Sequence, residues 1–90
     1  MTRDGILSTA IDCVMVDRAA THGNLERGFG MIADLWSARL GVPIRPDQVA
    51  ILLIDLKTVR AWGNPQHDDN WIDIAGYAAC GGEIATGGDT

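Results

Sequence analysis

The chain has 90 residues, 47% of them hydrophobic, and carries 7 Lys and Arg against 12 Asp and Glu for a formal charge of −5. That length holds one domain with one core, and a core so small buries only about 60–65% of the unfolded chain's surface, so the apolar surplus points to a homo-oligomer. The acidic balance excludes general nucleic-acid binding, no apolar stretch approaches the ~20 residues of a membrane span, and Cys13 and Cys80 are too few and too far apart for a zinc site.

No secretory signal precedes the first helix, so the expected setting is cytoplasmic, with both thiols reduced and buried. Ile6, Leu7, Ala10, Ile11, Val14 and Met15 recur at spacings of three and four. This stripe predicts an amphipathic helix from about Asp4, as its cap, to Ala20. Thr21, His22, Gly23 and Asn24 break the pattern, with Asn24 suited to cap a second helix.

Leu25, Phe29, Ile32, Ala33, Trp36 and Leu40 carry that second helix as far as Gly41 and Pro43. Within it Gly28 and Gly30 each cost up to ~1 kcal/mol against Ala; close helix packing is the first explanation, and approach of a ligand the second. Pro46 fits a first helical position and Asp47 the positive end of the helix dipole. The third helix then runs to about Trp62. Its section from Val49 to Leu56 is apolar on nearly every side, as expected of a central helix buried by neighbours or by a second subunit.

Gly63, Asn64, Pro65 and Gln66 form a loop, after which Asp68 or Asp69 can cap a fourth helix bearing Trp71, Ile72, Ile74, Ala75, Tyr77, Ala78 and Ala79. Gly76, Gly81 and Gly82 leave its end open. There is no strand pattern and no repeat. The expectation is an all-α, compact bundle of about four helices over residues 1–85, with a flexible C-terminal tail over 86–90.

Three groups of side chains carry possible chemistry. Asp69 and Asp73 lie one turn apart on one helix face, where two carboxylates can share a Mg²⁺ completed by water and phosphate; the competing explanation is a capping Asp68 or Asp69 and a solvated or paired Asp73. Asp55, Lys57 and Arg60 interrupt an apolar helix, either as an internal ion pair or with Lys57 and Arg60 directed at a phosphate. Arg18 and His22 flank the turn before the second helix, whose start attracts anions; His67 is a further candidate, although a lone His in a turn is more often a capping or exposed residue.

Trp36, Trp62, Trp71 and Tyr77 are many aromatics for so short a chain, and such rings stack on nucleobases. Trp36 fits core packing; Trp62 and Trp71 flank the polar loop and fit a site or an interface. No nucleophilic triad, CxxC pair, HExxH motif or glycine-rich phosphate loop is present.

In order, Arg18, His22-Gly23, Phe29, Ile32 through Ser37, Leu40-Gly41 and Asp47 through Ala50 resemble a family of small uncharacterised proteins common in phages and prophages. Leu56-Lys57, Arg60, Asn64-Pro65, His67 through Trp71 and Asp73 through Ala78 are the most specific part of that resemblance. The family is itself similar to nucleotide-modification-associated phage domains and, more distantly, to MazG-like all-α nucleoside triphosphate pyrophosphohydrolases. The resemblance implies a helical homo-oligomer acting on nucleotides with Mg²⁺. The ExxE and ExxD pairs of those enzymes are absent, and Glu26 with Asp69 and Asp73 is the nearest acidic set.

The leading expectation is a nucleotide-like phosphate ligand held by Arg18, Lys57 and Arg60, with His22 as a further contact, Trp71 or Tyr77 stacking on the base, and Mg²⁺ on Asp69 and Asp73 if a phosphoanhydride is hydrolysed. The alternatives are a non-catalytic sponge that sequesters a nucleotide immune signal, as an anti-defence protein, and an oligomeric protein-interaction module that buries Trp62 and Trp71.

Overall fold

The computed structural model describes residues 1–17 and 25–88. Among them are four α-helices and no strand: α1 (Arg3–Asp12), α2 (Leu25–Leu40), α3 (Pro46–Gly63) and α4 (Asp68–Thr86), with a π-helical turn, Cys13–Asp17, continuing α1. None of these helices is long and apolar enough to cross a membrane.

The first helix begins earlier than the stripe implies. Its cap is Thr2, not Asp4, and the Thr2 hydroxyl accepts the Gly5 N–H at 3.1 Å. Regular α-helix stops at Asp12, where the chain widens into the π-turn rather than running on toward Ala20, of which 18–20 lie outside the described residues. The predicted Asn24 cap also lies outside them, whereas α2 covers the expected Leu25 to Leu40 and closes on Gly41, at φ +71°, whose N–H reaches the Ser37 carbonyl.

Ser37 also fixes the entry to α3, its Oγ accepting the Ile44 N–H at 2.8 Å. Pro46 stands at the start of α3, and the Gln48 side chain accepts the Arg45 N–H at 2.9 Å, satisfying a donor that the helix leaves open. At α4 the expected Asp68 or Asp69 cap is His67 instead, and it makes no side-chain cap bond. Both aspartates fall inside the first turn, where their charge suits the helix dipole. The helix runs through Gly76, Gly81 and Gly82 to Thr86, and Gly87, at φ +72°, ends it.

The α3–α4 pair makes the most extensive helix contact; α1 covers one side of α4, and α2 packs on α3. Phe29, Ala33, Val49, Ala50 and Cys80 form the core, with Trp36 and Tyr77 packed at its edge. Trp36 therefore packs against the core, and Cys80 is a buried thiol within it, while Cys13 is only half-buried. The described residues do not enclose the central helix: Val49 and Ala50 are buried, but Ile51, Leu52, Leu56, Val59 and Trp62 are exposed.

The glycines expected to mark close packing do not. An added Cβ at Gly28 or Gly30 meets nothing within 4 Å, whereas at Gly81 it would stand 2.7 Å from the Ala50 Cβ and at Gly76 3.1 Å from Val14 Cγ1. Close approach belongs to α4, where α3 and the π-turn lie against its backbone.

Candidate functional site

The polar centre of the molecule lies between α3 and α4. Lys57, on α3, has a side chain largely shielded from solvent, so its ammonium needs a partner. That partner is Asp73 Oδ2 on α4 at 2.7 Å, with side chains 15% and 35% exposed. Asp55, the carboxylate expected to pair within α3, is exposed on the outward side. The cation expected at a phosphate and the carboxylate expected at a metal thus meet as one ion pair.

Asp73 also borders a small cavity of about 50 Å³ with Cys13, Val14, Gly76, Tyr77 and Cys80. Asp69, one turn earlier, is exposed and stands 3.8 Å from His67 Nε2 across the start of the helix. Among the described residues no three His, Cys, Asp or Glu side chains converge as a metal set. Arg60 is exposed and makes no ion pair with a described side chain. Arg18 and His22 lie outside the described residues, and nothing is described of the Glu26 side chain.

The aromatics divide between two places. Trp71 is two residues from Asp73 and so on nearly the opposite side of α4. It lines an open groove of about 560 Å³ with Thr58, Ala61, Trp62, Pro65 and Ile74. Its indole Nε1 donates to the Pro65 carbonyl at 2.8 Å, holding the loop against α4 while leaving the ring half exposed. Trp62 is 90% exposed at the same groove. Tyr77 instead packs against the core, away from this groove.

Among the described residues, the structure therefore brings Lys57 to Asp73 and Trp62 to Trp71, but does not gather Lys57, Arg60, the carboxylates and both stacking candidates into one cleft. Sequence reasoning missed Cys13 and Gly76 at the small cavity and Ala61, Pro65 and Ile74 at the groove. The two tryptophans flanking a Pro-containing loop were the one available signal for the latter. The rest depend on which faces of α3 and α4 meet.

Residues 5–85 match the family described as Domain of unknown function (DUF6378). The chain is similar to the Gene 55 protein of Mycobacterium phage L5, 40% identical over 74 residues that make up 81% of this chain and 47% of that protein. It is also similar to the Gene 55 protein of Mycobacterium phage D29, 35% identical over 77 residues, 86% of this chain and 51% of that one. The chain spans about half the length of these curated relatives. No solved structure matches.

Proposed function

The chain belongs to the DUF6378 family, a phage-associated family of unknown function, and from that premise we propose that it is a homo-oligomeric helical protein that binds a nucleotide or nucleotide-like phosphate ligand. The observation that carries this reading is the 2.7 Å contact between Lys57 and Asp73. Two helices contribute one charge each to a half-covered position, where desolvation strengthens what either charge does to a ligand. A phosphate entering there exchanges the carboxylate for its own oxygens around the ammonium, and the released Asp73, with Asp69 one turn away, has the one or two carboxylates through which Mg²⁺ is commonly held.

The metal would supply neutralisation of phosphate charge and an activated water. Two carboxylates fit one such ion and fall short of a two-metal centre, which favours retention of a ligand over fast turnover. Native mass spectrometry with a panel of nucleoside triphosphates and cyclic dinucleotides, with and without Mg²⁺, tests this. Retained intact ligand lost in Lys57→Met supports a binding protein of the sponge kind, and Mg²⁺-dependent conversion to a monophosphate lost in Asp73→Asn supports a MazG-like pyrophosphohydrolase. Absence of both ligand and conversion rejects the reading.

A second reading, as a protein-interaction module, is favoured by the exposure of Trp62 beside the 560 Å³ groove. Exposed indole at a groove is the composition of an interface anchor. It predicts that Trp62→Ala abolishes a partner contact while leaving nucleotide retention unchanged.

A further inference from the structure

The chain is under-buried for its mass. Its accessible surface is 6377 Å², whereas a folded monomer of 9.6 kDa exposes about 5,100 Å². The excess, about 1,300 Å², is larger than the ~800 Å² that each partner contributes to an interface of standard size. Its Cα radius of gyration, 13.6 Å, likewise exceeds the ~12 Å of a compact domain of this length. Exposed apolar side chains stand on several helices, Leu7 and Ile11 on α1 and Leu35 and Leu40 on α2 among them; on the outward side of α3, Leu52, Leu56 and Val59 follow one another at spacings of four and three, with Val59 72% exposed. That spacing is the seam of a helix that packs along another helix.

Charge selects the occupant. Asp55 and Arg60 are both exposed, and neither pairs with a described side chain. They stand five residues, or about 140°, apart on opposite shoulders of the seam. When two such helices run parallel about a twofold axis, the Asp55 shoulder of one copy faces the Arg60 shoulder of the other, twice per dimer. We propose that α3 is the self-association face of this protein and that a second copy of the chain packs on it in parallel, with Leu52, Leu56 and Val59 at the seam and reciprocal Asp55–Arg60 ion pairs fixing the register.

This gives Arg60 a task other than phosphate contact, and it deepens the homo-oligomer part of the reading above without depending on the ligand part. The test is sedimentation velocity on the full chain and on charge-reversed variants, with nucleotide retention measured in parallel. Wild type is expected to sediment as a dimer or a multiple of one. Asp55→Arg and Arg60→Asp alone set like charges opposite each other and should weaken association at least ~10-fold, while an equimolar mixture of the two should recover it as a heterodimer. Val59→Asp should weaken association about 100-fold or more, and its far-UV circular dichroism reports whether the fold survives.

A monomeric wild type at micromolar concentration overturns both this face and the homo-oligomer reading. An oligomer that persists in Val59→Asp, or reversed variants that fail to pair on mixing, overturns this face alone. Loss of nucleotide retention in Lys57→Met with assembly unchanged would show that the two readings stand separately.

Discussion

Glycines in this chain have opposite roles depending on which helix carries them. At Gly81 an added methyl group would stand 2.7 Å from the Ala50 Cβ, inside van der Waals contact with a residue that is itself core. Gly81→Ala is expected to destabilise the fold by about 1–3 kcal/mol. Gly30→Ala, in open space within α2, is expected to stabilise it by about 0.5–1 kcal/mol, because alanine loses less backbone freedom on folding. Urea denaturation of the two variants measures both signs. A stabilised Gly81→Ala would mean that α3 and α4 do not approach so closely.

Ionisation matters at Asp47 on the same scale. The Arg45 guanidinium donates to both carboxylate oxygens, at 3.1 and 3.2 Å, and this hydrogen bonding holds Asp47 below the ordinary carboxylate value of 3.8. A depressed folded-state pKa contributes stability that is present above the unfolded value and lost as pH falls through the folded one. Asp47→Asn should therefore be less stable than wild type at neutral pH, and the difference should close as pH drops below about 3.8. A difference that is constant from about pH 7 to about pH 2 would assign the effect to something other than the carboxylate charge.

Helices α3 and α4 form the spine, and two polar contacts tie them beyond their apolar packing. The Trp71 indole bond to the Pro65 carbonyl fastens the connecting loop, and the Lys57–Asp73 pair joins the helices one to two turns further from it. A double-mutant cycle of Lys57→Met and Asp73→Asn should give a coupling energy of about 1–2 kcal/mol, above the usual value for fully exposed pairs, because both side chains are partly shielded. The single variants should each cost more than the double, since each leaves one charge without its partner. Additive single effects would show that the pair makes no net contribution to the fold.

For the whole molecule, the proposed self-association on α3 carries a consequence for stability, since a partner that binds only the folded chain links folding to assembly. Among the described residues the central cluster has five buried side chains, of which only Phe29 is aromatic, a small core even for a domain of this length. Its melting temperature is expected to rise by roughly 3–5 °C for each tenfold increase in protein concentration, as mass action requires of an associating protein. A melting temperature independent of concentration, measured by scanning calorimetry, would place the stability within the single chain.

Among the described residues, the sequence by itself determined the helix count, the extent of α2, the start of α3 and the absence of strands, because these follow from short-range rules: apolar spacing near 3.6 residues, Pro46 at a helix start, and glycine at a left-handed helix end. It also drew attention to Lys57, Asp73 and Trp71, as residue types that disturb or flank apolar helices. Only the tertiary structure decided that Lys57 pairs with Asp73 rather than Asp55, that Tyr77 belongs with the core and not with Trp71, and that the close backbone approaches are at Gly76 and Gly81. Those outcomes depend on the rotation of α3 and α4 about their own axes. Rotation is set by how whole faces pack together, and no local spacing along one helix contains it.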